Sequence, residues 1–466
     1  MTAVRRTGWF TPERRAAAAL VALGAALRAA LFAAQPEPRV WFDTGTYLFC
    51  SLPGAAPALD RQQGYSWFLR GLRAISADLR LIQATQLALG LITALLFYGI
   101  ARRLAPRPGW APLAALGLCL FWPTNLLLET HVLSEALFLF LVALAGYAAA
   151  EGARRGSPWL LGAAGLAAGA SASVRVVGLA VCGLLAAMTL AAALRGPASG
   201  AGERARRLLA PCALVVAASL IVVAYMSHYR SHRGAWAMES WAGINRYCML
   251  AALIRPEHAA PDERSVAFLQ EHGDGNLRGF DFVMWDDESP LAIAARELHL
   301  PPPALDRWAS RVALSAALDR PADAGRVLLD HLQEATLSVG TLDRHVKLTP
   351  ASTAHQAVKQ IYGIDVSTWH ETRSFTLPYR WPLAVLKPIL AAAALGALAL
   401  QLSRRHRRGY QLAFAGSALL FTAAVSISIL PEQRHVQLAE NLMLLNAALL
   451  AGQVLEGRRA HEGTAR

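Results

Sequence analysis

One carboxylate stands out in this 466-residue chain for where it falls: Asp43, in the stretch Trp41-Phe42-Asp43-Thr44-Gly45-Thr46-Tyr47. That stretch follows directly on an apolar run, Ala16–Ala34, long enough to enter a bilayer. A charge kept at the rim of a membrane helix is costly to hold there, so it marks a functional candidate. Other ionisable groups fall at the same ends of apolar runs. Arg61 lies further along the same loop. Glu129, His131 and Glu135 lie between the third and fourth runs. Arg175 is alone in a long apolar stretch, and Glu432, Arg434 and His435 precede the last run. A pocket lined by these groups sets a carboxylate beside several cations. The carboxylate suits proton abstraction from a hydroxyl. The arginines suit a lipid-linked phosphate arriving from the bilayer, because the guanidinium fork binds phosphate and keeps its charge when partly buried.

The elements that must position these residues are membrane helices. The chain is 55% hydrophobic, above the usual share of about 45–50% for a soluble domain, and its mean hydropathy is +0.34. The excess is gathered into runs that can each cross a core of about 30 Å. We expect ten: Ala16–Ala34, Leu81–Leu104, Ala111–Leu128, Val132–Ala150, Trp159–Ser173, Val174–Leu194, Leu208–His228, Trp381–Leu402, Tyr410–Leu430 and Val436–Leu455. The stretch Trp159–Leu194 is too long for one crossing of about 20 residues. It is expected to fold as a tight hairpin with Arg175 at its tip. The net charge of +13 is carried by arginine tracts between the runs, such as Arg102-Arg103, Arg154-Arg155 and Arg404-Arg405. With an even number of crossings and a basic N-terminus, these tracts all face the cytoplasm, as the positive-inside rule requires. Both termini are then cytoplasmic, the charge needs no nucleic acid partner, and Asp43 faces the exoplasmic side. No small-residue cleavage site follows the first run, so that helix is expected to be retained.

Three domains follow: 1–228, a membrane core of seven helices whose first exoplasmic loop is 35–80; 229–380, a mostly helical exoplasmic domain with helical patterns at Ala304–Leu318 and Ala324–Leu337; and 381–466, three further membrane helices and a tail. The middle domain carries no phosphate loop, dinucleotide fingerprint or zinc-binding cysteine pair. Simpler roles stand beside the chemical ones. Asp43 could cap an interfacial helix starting at Thr44. Glu135 could complement the N-terminus of the fourth membrane helix, and Arg175 could snorkel to the interface. Glu129 and His131 fit solvated loop residues. His228 and His232 share a helix face, but a metal needs a third ligand. The acidic run Trp285-Asp286-Asp287-Glu288 fits a solvated loop, with a divalent cation as the alternative, so neither a cofactor nor a metal ligand set is assigned. Cys50 and Cys248 both fall on the exoplasmic side, where pairing is open to them.

Several motifs together resemble the glycosyltransferase C (GT-C) superfamily, above all its enzymes that take sugars from polyprenyl phosphate, the protein O-mannosyltransferases and lipid A aminoarabinose transferases. Asp43-x-x-x-Tyr47 resembles the Asp-containing motif of their first loop. Arg61-Gln62-Gln63-Gly64-Tyr65-Ser66 resembles an Arg-Pro-Pro-x-Tyr-Pro element. Pro123-x-Asn125 with Leu133-Ser134-Glu135 resembles a Ser-Glu helix start. Gly165–Gly169 with Val174-Arg175-Val176 resembles a Gly-rich helix ending in an Arg-containing turn, and Glu432-Gln433-Arg434-His435 resembles an Arg-Tyr element. The chain departs from the pattern at Thr44, where a second acid is usual, at Gln62-Gln63 for two prolines, and at His435 for a tyrosine.

The resemblance implies an all-α, multi-pass integral membrane bundle of GT-C type in the bacterial inner (plasma) membrane. It implies inverting transfer of a sugar from a polyprenyl-phosphate donor, such as an undecaprenyl phosphate, to a lipid, glycan or protein hydroxyl on the periplasmic face. Asp43 would be the general base. Arg61, Tyr65, Glu135, Arg175, Arg434 and His435 would form the donor-phosphate and substrate site. Two other readings share this geometry: an oligosaccharide ligase or polymerase using a pyrophosphate-linked donor, and a transporter or flippase of lipid-linked solutes. Transport is disfavoured by the absence of an internal repeat and of polar groups at mid-membrane.

Overall fold

A computed structural model describes residues 11–59, 61–104, 110–195, 200–337, 353–364, 441–442 and 444–445. Among them there is no strand, only one isolated bridge between Arg39 and His131. The membrane part begins with α1 (Pro12–Ala34), whose N-terminus is capped by Thr11 and opened by Pro12. Two short helices follow, α2 (Phe42–Cys50) and α3 (Gly64–Ile75). Then come α4 (Leu79–Leu104), α5 (Trp110–Phe121), α6 (Pro123–Glu129), α7 (Glu135–Arg155), α8 (Pro158–Val174), α9 (Gly178–Arg195) and α10 (Ala201–Arg233).

Among the described residues, four helical stretches are long and apolar enough to cross a membrane: Pro12–Ala34, Leu79–Arg103, Glu135–Arg155 and Leu208–Arg233. The third apolar run, expected as one span, is instead α5 and α6 bent by 47° at Trp122. Pro123 opens α6 at its first turn, where a missing N–H costs nothing, and its ring blocks straight continuation from α5. The run Trp159–Leu194 is the expected hairpin: α8 ends at Val174, Arg175 is its C-cap, and α9 starts at Gly178. Both arms are apolar but shorter than the four spanning stretches. Gly165 and Gly169 place the backbone of α8 directly on that of α10, the close approach that small residues allow between membrane helices. The expected segments at 381–402 and 410–430 lie outside the described residues. Of 436–455, only Asn441, Leu442, Leu444 and Leu445 fall within them.

Beyond α10 a second hydrophobic core forms from α11 (Ala242–Leu250), α12 (Glu263–His272), α13 (Phe280–Trp285), α14 (Pro290–Glu297), α15 (Pro302–Asp319) and α16 (Pro321–Leu337). Tyr247 stacks on Trp308 at 5.5 Å between ring centroids. Asp306 Oδ1 accepts from the Gly243 and Ile244 amides at 2.6 and 3.1 Å, which satisfies two open donors at the start of α11. No disulfide joins Cys50 to Cys248: the Cys50 thiol faces the Ala56 carbonyl, and Cys248 packs on Met284. The last described helix, α17 (Thr353–Tyr362), returns to lie on α2 and adds Ala357 and Val358 to the core of the membrane part.

Candidate active site

The site is built on α2. Its N-cap is Trp41, and Asp43 occupies its first turn. Asp43 is therefore not the cap of a helix starting at Thr44. The capping is done by Thr44, whose hydroxyl accepts from the Trp41 amide at 2.8 Å. That hydroxyl also donates to the Val132 carbonyl at 3.0 Å. The first loop is stitched to the same turn through its backbone, with Arg39 N–H on Thr130 O at 2.8 Å and Val132 N–H on Arg39 O at 2.9 Å. A carboxylate in the first helical turn also sits at the positive end of the helix dipole.

Arg61, from the segment before α3, meets Asp43: Nη2 to Oδ1 is 2.8 Å. Across Tyr47 lies a second pair. Glu135, the first residue of α7, receives Arg175 Nη1 at 2.6 Å, and the same nitrogen reaches Ser134 Oγ at 3.4 Å. Tyr47 and Ser134 hydroxyls are 3.1 Å apart. So α2, the segment before α3, the start of α7 and the tip of the α8–α9 hairpin deliver four of the predicted residues around one phenol. Burial, with Asp43 nearby as the next cause, pushes Tyr47 up to about 12. At neutral pH it is a hydrogen-bonding phenol and not a base. Glu135 is 2% exposed and Arg175 11%, so Arg175 is no snorkelling anchor but the counter-ion of a buried acid.

Tyr65 is fully buried. Its ring meets Tyr47 edge-on at 4.9 Å and Phe68 at 5.8 Å, and its hydroxyl donates to Gln86 at 2.5 Å. It braces the site from behind and presents no face to a substrate. Gln62 bonds Glu239, and Gln63 bonds His228 at 3.1 Å. The two glutamines at the proline positions thus tie the loop to α10 through His228 and to the segment after it through Glu239. The His228 and His232 rings lie 4.5 Å apart and tilted by 51°, and among the described residues no three His, Cys, Asp or Glu side chains gather to hold a metal. Arg434 and His435 lie outside the described residues.

Glu129 and His131 are not solvated. Both are buried. His131 donates to the Leu127 carbonyl at 2.8 Å and sets its ring edge-on to Trp41, and Glu129 pairs with Arg28. Arg28 is the residue that the sequence reading missed. The signal was a single arginine inside the first apolar run, which intramembrane cost alone marks as unusual.

No family model matches the chain, and no curated protein matches it. Solved structures do. The Archaeoglobus fulgidus oligosaccharyltransferase tethered to an acceptor peptide is similar over 97% of this chain and 51% of its own, at 11% identity and TM-score 0.50. The archaeal oligosaccharyltransferase AglB with an inhibitory peptide and dolichol-phosphate covers 98% of this chain and 52% of its own, at 11% identity and TM-score 0.45. The Saccharomyces cerevisiae protein O-mannosyltransferase Pmt1–Pmt2 complex bound to the sugar donor covers 54% and 37%, at 16% identity and TM-score 0.41. The chain thus spans about half the length or less of these structures. What is shared with the first of these is the fold, a helical architecture.

Proposed function

We propose that this protein is an integral-membrane glycosyltransferase that moves a sugar from a polyprenyl-phosphate carrier to a hydroxyl on the exoplasmic side. The observation that carries the proposal is the meeting of Asp43–Arg61 and Glu135–Arg175 around Tyr47. The first carboxylate is partly open to solvent, while the second is sealed. Only Asp43 can therefore meet an acceptor.

In the reaction, Asp43 takes the proton of the acceptor hydroxyl as its oxygen forms the new bond to the anomeric carbon. The bond from that carbon to the phosphate oxygen breaks on the opposite face, so configuration inverts. The leaving polyprenyl phosphate carries the electron pair, and Arg61 and Arg175 neutralise it. A phosphate leaves without protonation, so one acid–base residue is enough. Glu135 holds Arg175 in place for this role.

The test is Asp43→Asn in purified protein in lipid nanodiscs. General-base loss lowers transfer about 10²–10⁴-fold with folding intact; unchanged transfer refutes the role. Mass spectrometry of co-purifying carriers decides the donor. A monophosphate-linked sugar supports the proposal, and a pyrophosphate-linked one supports the ligase reading instead.

A further inference from the structure

Below the site lies an ion pair that the reaction does not use. Arg28 comes from within α1 and Glu129 from the last residue of α6, 4% and 3% exposed. Arg28 Nε and Nη2 donate to the two carboxylate oxygens at 2.8 and 2.7 Å, and Nη1 reaches the Gly24 and Leu120 carbonyls at 3.3 and 3.2 Å. A desolvated pair holds together only when its geometry is this complete. Glu129 also fits against α4 with no room to spare: a Cβ at Gly90 would lie 2.0 Å from its Oε1.

From this pair two lines of contact run to α2. Gln86 of α4 donates to the Glu129 and His131 carbonyls at 3.1 and 2.5 Å and accepts from Tyr65, whose ring backs Tyr47. The turn after Glu129, residues 130–134, holds α2 directly through the Arg39 bridge, the Thr44 hydroxyl and the Tyr47–Ser134 contact. These contacts of α2 thus land on a turn whose first neighbour is the Arg28 partner.

We infer that Arg28 and Glu129 are positioning residues for Asp43: they fix the depth of the 130–134 turn in the bundle, and the turn fixes α2. The inference rests on the glycosyl-transfer reading above. Misplacement of a reacting group by about 1 Å can cost about 100-fold in rate.

Glu129→Gln alone strands a buried arginine and can fail to fold. The working variants are Arg28→Gln/Glu129→Gln, which removes both charges, and Gly90→Ala, which keeps both and displaces the carboxylate. In full-length protein in nanodiscs, each folded variant is expected to lose about 10- to 100-fold in kcat. Its affinity for polyprenyl phosphate should fall by a clearly smaller factor than kcat, because the phosphate is met by Arg61 and Arg175 and not by Asp43 itself, a split that general unfolding does not produce. Arg28→Lys should recover part of kcat. Adding Tyr65→Phe to the double variant should cost less than its separate effect, because both act through the same turn. Folded variants with kcat within about twofold of wild type overturn the inference, and so does a parallel fall of kcat and carrier affinity. Wild-type protein that transfers no sugar from polyprenyl-phosphate donors refutes the glycosyl-transfer reading instead.

Discussion

Gly45, two residues after Asp43, is where α17 touches α2 backbone to backbone. A Cβ there would lie 2.5 Å from Thr353 C, 2.6 Å from Ala354 N and 2.7 Å from Thr353 O. All three atoms belong to the main chain, so no side chain can swing aside, and α17 must move by roughly 1 Å to reach ordinary contact. Overpacking of this kind costs about 1–3 kcal/mol, or about 5- to 150-fold in the docking equilibrium of α17. Docking buries Ala354, Ala357 and Val358. Gly45→Ala is therefore expected to raise amide hydrogen exchange in 353–362 by that factor, with α4 and α7 unchanged. Transfer should fall with it, since α2 carries the base. Wild-type exchange in α17, with wild-type transfer, would refute the reasoning that α17 bears on Gly45.

Arg175→Ala leaves Glu135 buried without its cation and should destabilise by about 3–5 kcal/mol; Arg175→Gln/Glu135→Gln should restore thermal stability while leaving donor use impaired, and recovery of both would remove Arg175 from the phosphate site. Thr44→Asp should not supply the second acid that the family pattern has there. The Thr44 side chain is fully buried between an amide it accepts from and a carbonyl it donates to, and a carboxylate cannot donate, so a lower melting temperature and a lower kcat are expected, and gain of activity would show that the position opens to substrate. Arg434→Gln should raise KM for the donor about 10- to 150-fold, on the scale of a charged hydrogen bond of about 1.5–3 kcal/mol; an unchanged KM would take Arg434 out of the site.

Much of this arrangement was legible in the sequence because it is local. The hairpin around Arg175 follows from the length of one apolar run, and the place of Glu135 at the start of α7 follows from where the next begins. The grouping of Asp43, Arg61, Glu135 and Arg175 was expected from the topology read in the sequence, which set all four at the ends of apolar runs on one side. Partners within the grouping were not legible, because pairing depends on rotamers and helix rotation. The bend at Trp122 had a signal in Pro123, outweighed by the apolar run on both sides of it. The Arg28–Glu129 pairing was not legible for a different reason: Arg28 is marked by its place inside an apolar run, but its partner is 101 positions away and by itself fits a loop acid.

The described half of the site is electrically balanced, with two arginines against Asp43 and Glu135. That balance suits a resting state, because buried unpaired charge is costly. It does not suit the loaded state. In the proposed reaction a sugar linked through a phosphodiester brings one negative charge, and the transfer conserves it: Asp43 would become neutral as it takes the proton, while the departing phosphate would gain a charge. One cation is therefore wanting throughout turnover, at the phosphate and not at the base. Glu135 is sealed and fixed, so Arg175 is not free to answer two anions fully. The sequence offers Arg434 and His435, the two further candidates of the sequence reading, for that deficit. A second acid beside Asp43 would have deepened it, which gives Thr44 a chemical reason as well as the structural one of capping α2.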